Sequence, residues 1–261
     1  MLIVLSDLDG TLLDHDTYSY DESLPGISML REKRVPLVLV SSKTYDEMVL
    51  LHQELELEWP FVFENGGGIA YPREGGSCSI TVFGPGSDSL IREVEYLSRV
   101  LGSEIFPIAG MTADELSRVT GLSLEKAVLA QKRKSSVPFI LEQSNSVTPE
   151  ELATYNNLIR KKNITLTKGG RFYHLISAEF DKGAALDRII SYFRDRFTSV
   201  VTAAIGDSEN DIPMLQKADY PFLVKKKNGT VIETGIKNVF VTDAAGPAGF
   251  SEAVMHLLKR D

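Results

Sequence analysis

Asp7 and Asp9, one residue apart, follow an apolar, β-branched run at residues 2–6. Residues two apart on a strand point the same way, and the carboxyl ends of strands in a parallel sheet open on a ligand crevice. Two carboxylates crowded there repel, which raises the proton affinity of at least one of them unless a cation stands close by. Mg²⁺ resolves the conflict, because it takes oxygen ligands, keeps several waters and is commonly held by one or two carboxylates together with phosphate oxygens. The stretch Asp7-Leu8-Asp9-Gly10-Thr11 also suits a tight turn, where Asp and Gly serve backbone geometry alone. The pair therefore needs support from elsewhere in the chain.

Three further segments supply it. "VPLVLVSSKT" ends an apolar strand in Ser41 and Ser42, then Lys43. A hydroxyl and free amides there can bond a phosphate oxygen, although serines after a strand also serve as helix caps. Lys182 opens a helical stretch in "FDKGAALDRI", where its ammonium could neutralise both a phosphate and the Asp7 carboxylate; a solvated surface lysine is the plain alternative. In "VVTAAIGDSENDIPML" an apolar strand runs into Gly206, Asp207, Ser208, Asn210 and Asp211 just before a helix. Acids in that place can be caps, but two acids, an amide and a hydroxyl also form an oxygen-rich cup suited to Mg²⁺.

The elements that must carry these residues read as α/β with a parallel sheet. Short apolar runs at 2–6, 36–41, 61–63, 200–206, 220–224 and 238–242 alternate with amphipathic segments such as the one bearing Leu186, Ile189, Ile190 and Phe193. From about 69 to 176 the strands look antiparallel and alternate with helices near 87–101, 123–132 and 149–161. This stretch reads as a second α/β unit inserted into the first, opened by the glycine-rich "GGGIAYPREGG" and "FGPGSD". The domain expectation is therefore 1–68 and 177–261 for a core, and 69–176 for the insertion.

With 261 residues, 43% hydrophobic and 25% charged, the chain has the apolar mass for one large domain or two moderate ones. A formal charge of −8 and the lack of a long Lys/Arg run argue against nucleic-acid and anionic-membrane partners. Cys78 is the only cysteine, which excludes an internal disulfide and points to a reducing, cytoplasmic setting. The N-terminal apolar run lacks the length and basic flank of a secretory signal, and no stretch approaches the roughly 18 apolar residues of a membrane helix. His15, His52 and His256 draw no role, and Trp59 reads as packing.

The order of the four segments, "DLDGT", a strand ending in serine, an isolated lysine and "GDSEND", resembles the haloacid dehalogenase superfamily of phosphotransferases. The resemblance implies a three-layer, Rossmann-like parallel-sheet core with an inserted α/β cap. It implies Asp7 as the nucleophile that becomes an aspartyl phosphate, and Asp9 as general acid and then base. Ser41 and Lys182 would hold the phosphoryl group. Mg²⁺ would be bound by the Asp7 carboxylate, the Asp9 main-chain carbonyl and Asp207, with Ser208, Asn210 and Asp211 orienting that shell.

Further stretches, "SSKT", "FVFENGGGIAYP", "GMTADELSRVTGLSLEKAVLAQKR" and "GGRFYHLI", look like the mannosyl-3-phosphoglycerate phosphatase family. The implied substrate is a small phosphorylated sugar-glycerate, and the implied substrate-binding residues are Ser42, Lys43, Asn65, Gly66, Gly67, Arg133, Arg171 and His174. Arg171 could fork onto the glycerate carboxylate; the glycines after the third strand would let a ligand approach the backbone, or serve only as a hinge. After Arg133 the family pattern runs Glu, aromatic, polar, Glu, Pro, whereas this chain has Lys134, Ser135, Ser136, Val137 and Pro138. Two acids and a ring expected near the sugar are missing, which opens glucosyl or relaxed specificity. Another sugar-phosphate phosphatase, a phosphomutase and a non-catalytic phospho-accepting module remain alternatives.

Overall fold

The computed structural model describes residues 1–73, 75–141, 147–169 and 172–259. Arg171, one of the expected substrate-binding residues, lies outside them. The strands are β1 (Leu2–Ser6), β2 (Leu37–Leu39), β3 (Phe61–Phe63), β4 (Gly68–Pro72), β5 (Cys78–Val82), β6 (Ile105–Pro107), β7 (Ser136–Leu141), β8 (Ile164–Gly169), β9 (Phe172–Ser177), β10 (Val201–Gly206), β11 (Tyr220–Lys225) and β12 (Phe240–Ala245). The α-helices are α1 (Leu24–Glu32), α2 (Tyr45–Glu54), α3 (Ser87–Ile91), α4 (Val94–Leu101), α5 (Ala113–Thr120), α6 (Leu124–Ala130), α7 (Pro149–Ile159), α8 (Lys182–Arg194), α9 (Ile212–Lys217) and α10 (Gly246–Leu258). The single helix expected over 87–101 is two, α3 and α4.

Five strands form a parallel sheet in the order β12-β11-β10-β1-β2. Apart from the edge strand β12, its strands are largely buried on both faces, so their sequences run apolar without alternation, yet the side chains still divide by parity. Val4, Leu39, Ala203, Ile205 and Phe222 face α1, α2 and α10 through Ile27, Leu30, Met48, Phe250 and Val254. Ile3, Leu5, Val38, Ala204 and Leu223 face α8 and α9 through Leu186, Ile189, Phe193, Met214 and Leu215. The result is three layers. Ile189 and Phe193 are fully buried, each contributing about 1.5–3 kcal/mol by removal from water.

At the β2 edge a parallel bridge joins Val40 to Val62, and β3 then continues into an antiparallel β3-β4-β5 sheet. The stretch from 69 to 82, read from the sequence as part of the insertion, thus hydrogen-bonds to a core strand. Beyond it lies the cap: an antiparallel sheet in the order β6-β7-β9-β8, covered by α4 and α7 through Leu97 and Ile159 on Val137, Phe139, Tyr173 and Leu175. A smaller cluster of Ile108, Leu116, Ala127 and Ala130 holds α5 and α6 together. Where the chain leaves the core, Phe83 stacks on Phe180, where it returns, with ring centroids 5.5 Å apart. The Arg188 guanidinium from α8 lies 4.0 Å over the Phe83 ring.

Candidate active site

Asp7 stands at the carboxyl end of β1, its amide bonded to the Ile205 carbonyl of neighbouring β10. Asp207 stands at the equivalent end of β10, and Lys182 is the first residue of α8, whose N-cap Asp181 accepts from Ala184 N–H at 2.7 Å. The Lys182 ammonium is buried and donates to Asp7 Oδ1 at 2.5 Å and to Asp211 Oδ1 at 2.6 Å. Asp211 Oδ2 accepts from the amides of Asp207 and Ser208, each at 3.0 Å. Asn210 accepts from the Ser208 hydroxyl at 2.6 Å and donates to Asn65 Oδ1 at 3.1 Å. Distant segments of the sequence thus share one buried network.

Gly10 shows why the turn after Asp9 needs glycine. Its φ is +88°, and a Cβ there would lie 2.8 Å from Asp207 Oδ2. The turn packs directly on the second acidic strand end, so the sharp bend and the close approach demand the same residue.

Asp7, Asp207 and Asp211 bring carboxylate oxygens within 4.8 Å of one another. Burial raises the Asp7 carboxyl well above its ordinary value, Asp211 and Asp207 push the same way, and Lys182 opposes them. Asp207 is pushed up to about 7, by burial first and then by Asp211. Lys182 is held above the usual lysine range: burial works against its charge, but Asp211 and Asp7 outweigh burial. The donor set is all oxygen and retains net negative charge after one ammonium is counted, which fits a hard divalent cation. Asp211 commits both oxygens to Lys182 and to backbone amides, so the second oxygen of Asp7 and the Asp207 carboxylate, whose Oδ1 accepts only a long 3.4 Å bond from the Thr11 hydroxyl among the described residues, are the ones placed to ligate.

The network floors one side of a cavity of about 730 Å³ lined by residues of both core and cap. Asp7, Asp9, Ser42, Lys43, Asp207, Ser208 and Asn210 line it from the core, and Arg133 and His174 from the cap. Asp9 Oδ1 pairs with Lys43 Nζ at 2.8 Å. Burial disfavours the Lys43 charge, but Asp9 and Glu47 outweigh it and hold the ammonium above the usual range. Arg133 donates from Nη1 to the Ser42 carbonyl at 2.6 Å. His174 is buried, its Nδ1 has no partner among the described residues, and burial, assisted by the Arg133 and Lys182 charges, lowers it to about 3, so the ring is neutral. Ser41 is buried at the edge of this group, its Oγ accepting from Lys43 N–H at 3.2 Å.

Ser41, Asn65, Gly66, Gly67, Lys182 and Asp211 lie outside the cavity lining. A Cβ on Gly66 (φ +99°) would lie 2.3 Å from the Asp181 carbonyl, and one on Gly67 would lie 2.0 Å from Ser135 Oγ. These glycines admit protein, not ligand. Asn65 reaches the site through Asn210 rather than through the cavity. The departures from the family pattern also fall away from the cavity: Val137 packs in the cap core, and Ser135 and Ser136 bond to Glu64.

Sequence reasoning missed Lys226, which lines the cavity and draws the Asp207 carboxyl down against the other influences, and Glu64, which grips the cap. Both follow apolar strand runs, as Asp7 and Asp207 do, and the same strand-end rule would have found them. It also missed an apolar cap wall of Ile108, Leu116, Leu122 and Phe172.

Residues 4–78 and 125–243 match the haloacid dehalogenase-like hydrolase family. The chain belongs to that family. Among curated relatives of this hydrolase, the glucosyl-3-phosphoglycerate/mannosyl-3-phosphoglycerate phosphatase of Methanococcoides burtonii is 36% identical over 274 residues, covering 99% of this chain and 98% of that protein. The protein of the same name from Persephonella marina is 34% identical over 274 residues, covering 98% and 97%. The chain is accordingly an enzyme of the phosphoric monoester hydrolase class. Solved structures share the haloacid dehalogenase-like fold. The SMU.1108c protein of Streptococcus mutans has a TM-score of 0.70 at 18% identity, covering 98% of both chains. The sucrose-phosphatase of Synechocystis sp. PCC6803, in complex with sucrose and phosphate, has a TM-score of 0.61 at 15% identity, covering 98% of this chain and 97% of its own. Among the described residues no helix is long and apolar enough to cross a membrane.

Proposed function

We propose that this hydrolase removes the phosphate from a glycosyl-3-phosphoglycerate, with mannosyl-3-phosphoglycerate giving mannosylglycerate as the favoured case. The observation that carries the reading is the Lys182 ammonium 2.5 Å from Asp7, an aspartate that lines one cavity with Arg133 and His174 of the cap. Relatives named for that substrate match the chain end to end. A cavity of about 730 Å³ also lies within the usual range for small-molecule sites, about 300–1,000 Å³.

In this reading an Asp7 oxygen attacks phosphorus in line, the ester bond to the glycerate oxygen breaks, and Asp9 gives that oxygen its proton. Asp9 then takes a proton from water, whose oxygen attacks the aspartyl phosphate, releasing inorganic phosphate and restoring Asp7. Splitting the hydrolysis in two makes each displacement easier. Ser41 and Lys182 hold the phosphoryl oxygens. Lys43, paired with Asp9 at 2.8 Å before substrate arrives, shifts towards the incoming anion and frees Asp9 to carry its proton. Asp7, Asp207 and the Asp9 carbonyl would hold Mg²⁺, which would supply the charge neutralisation that phosphoryl transfer between anions needs. The inserted unit, with β4 and β5 counted with the core, covers the crevice and excludes bulk water. The single cysteine supports a cytoplasmic setting.

A second reading, a sugar-phosphate phosphatase or phosphomutase of broader sugar range, is favoured by the apolar wall of Ile108, Leu116 and Leu122, which offers few groups to read sugar hydroxyls. Phosphate release across mannosyl-3-phosphoglycerate, glucosyl-3-phosphoglycerate and simple hexose phosphates decides between them. Preference for a glycosyl-phosphoglycerate supports the first reading. Flat turnover of hexose phosphates, or turnover that requires a bisphosphorylated sugar and yields no free phosphate, overturns it.

A further inference from the structure

Glu64 is a buried carboxylate that the reaction does not use. It is 1% exposed and follows β3 with φ at +51°. Among the described residues its carboxylate accepts four hydrogen bonds, all from one short cap segment. The Lys134 amide donates to Oε1 at 2.7 Å; the Ser135 amide (2.9 Å) and the hydroxyls of Ser135 (3.3 Å) and Ser136 (2.6 Å) donate to Oε2. The residue just before that segment is Arg133, whose guanidinium lines the cavity and donates to the Ser42 carbonyl. On the core side, the Glu64 amide donates to the Lys43 carbonyl and the Asn65 amide to the Ser41 carbonyl, both at 2.9 Å. Glu64 therefore links the loop Ser41–Lys43, through the main chain of Glu64 and Asn65, to the segment that follows Arg133, through its carboxylate.

We infer that Glu64 is a positioning residue: it sets where Arg133 stands over the phosphate-receiving loop, and through Arg133 it sets affinity for the part of the substrate beyond the phosphate. The inference rests on the functional reading above and deepens it. Glu64 and Asn65 both take left-handed backbone, φ +51° and +58°, a conformation side-chain-bearing residues hold only where surrounding contacts over-determine it. Donors fixed on three successive residues and converging on one carboxylate leave the segment little freedom. Gly67, with no Cβ to meet Ser135 Oγ, lets the two chains come that close.

The test is a cycle of Glu64→Gln, Arg133→Met and the double variant, assayed with p-nitrophenyl phosphate and with 3-phosphoglycerate as competitor. Glutamine places an N–H₂ where an N–H or O–H must be accepted. The inhibition constant of 3-phosphoglycerate rises about tenfold in Glu64→Gln, while the KM for p-nitrophenyl phosphate, which carries nothing to reach Arg133, rises less than about twofold. Arg133→Met raises the same inhibition constant, and adding Glu64→Gln to it has no further effect, as expected when two residues act as one unit. Ser136→Ala removes a single donor and gives a smaller shift of the same sign, which keeps the inference testable if the glutamine variant does not fold. Equal weakening of both ligands, additive effects of the two substitutions, or wild-type 3-phosphoglycerate binding no tighter than inorganic phosphate overturns it. Failure of the wild type to cleave either glycosyl-3-phosphoglycerate overturns the functional reading alone, since the competition assay does not depend on it.

Discussion

The Lys182 ammonium and the Asp7 carboxylate are a buried pair 2.5 Å apart, and Lys182 simultaneously serves Asp211 at 2.6 Å. One cation thus answers two carboxylates, with Asp207 crowding the same space. Removing it should have consequences for both chemistry and stability. Lys182→Met is expected to lower kcat by about 10³-fold, the scale of losing a preorganised charge at a reacting phosphate. It should also destabilise the fold by about 3–5 kcal/mol through the uncompensated buried charge. Adding Asp7→Asn to that variant should recover part of the stability and none of the activity, as read by urea unfolding beside phosphate release.

Asp7→Asn alone separates chemistry from folding. Phosphate release should fall below detection while the unfolding midpoint in chelator stays level or rises, because one of three mutually repelling acids is gone. Turnover near that of the wild type would remove Asp7 as nucleophile.

Mg²⁺ should stabilise the folded chain by about 2.7 kcal/mol at a hundred times its dissociation constant. Asp207→Asn should cancel most of that gain. The measurement is the thermal midpoint across a Mg²⁺ titration after EDTA treatment, with no substrate present.

Gly10→Ala places a Cβ 2.8 Å from Asp207 Oδ2 on a backbone with φ +88°. A cost of about 1–3 kcal/mol follows from the strained conformation. Because the displaced neighbour is a proposed ligand, weaker Mg²⁺ binding should accompany the lower stability, measured by the same titration.

His174 gives a pH signature. Its folded value is lowered to about 3 by burial with help from Arg133 and Lys182, whereas the unfolded chain has an ordinary histidine near 6.5. Above about pH 6.5 both states are neutral and the stability is fully present. As pH falls the unfolded state takes up a proton and the folded state does not, so this contribution is lost by about 1.4 kcal/mol per pH unit between about 6 and 3. His52, lowered chiefly by burial, acts in the same direction. The unfolding free energy of His174→Gln between pH 7 and 5 should therefore fall less steeply than that of the wild type.

The strand-end acids were legible because a parallel strand buried on both faces reads as an unbroken apolar run, and the first polar residues after it stand at the ligand edge. Asp7, Lys182 and Asp207 are brought together as that logic expects. The rule stopped short at Glu64, where the glycines behind it drew attention to ligand approach. A glycine in sequence reports that something comes close and not what; only the folded chain shows Asp181 and Ser135 to be the neighbours of Gly66 and Gly67. In the sequence, strands β4 and β5 read as part of the insertion because their antiparallel character is local, while the edge they join, beside Val40 and Val62, is a long-range fact. The departures at Lys134 and Val137 looked like lost sugar contacts for the same reason: register decides which side chains face a cavity, and register is not written locally.

The Phe83 and Phe180 rings meet where the chain departs from the core and where it comes back. Nearly a hundred residues thus leave and return through one doorway, and the sheet beneath closes its own hydrogen bonds without them. A chain assembled this way can exchange one lid for another, and with it one clientele of esters for another, without rewiring the carboxylates that do the cutting.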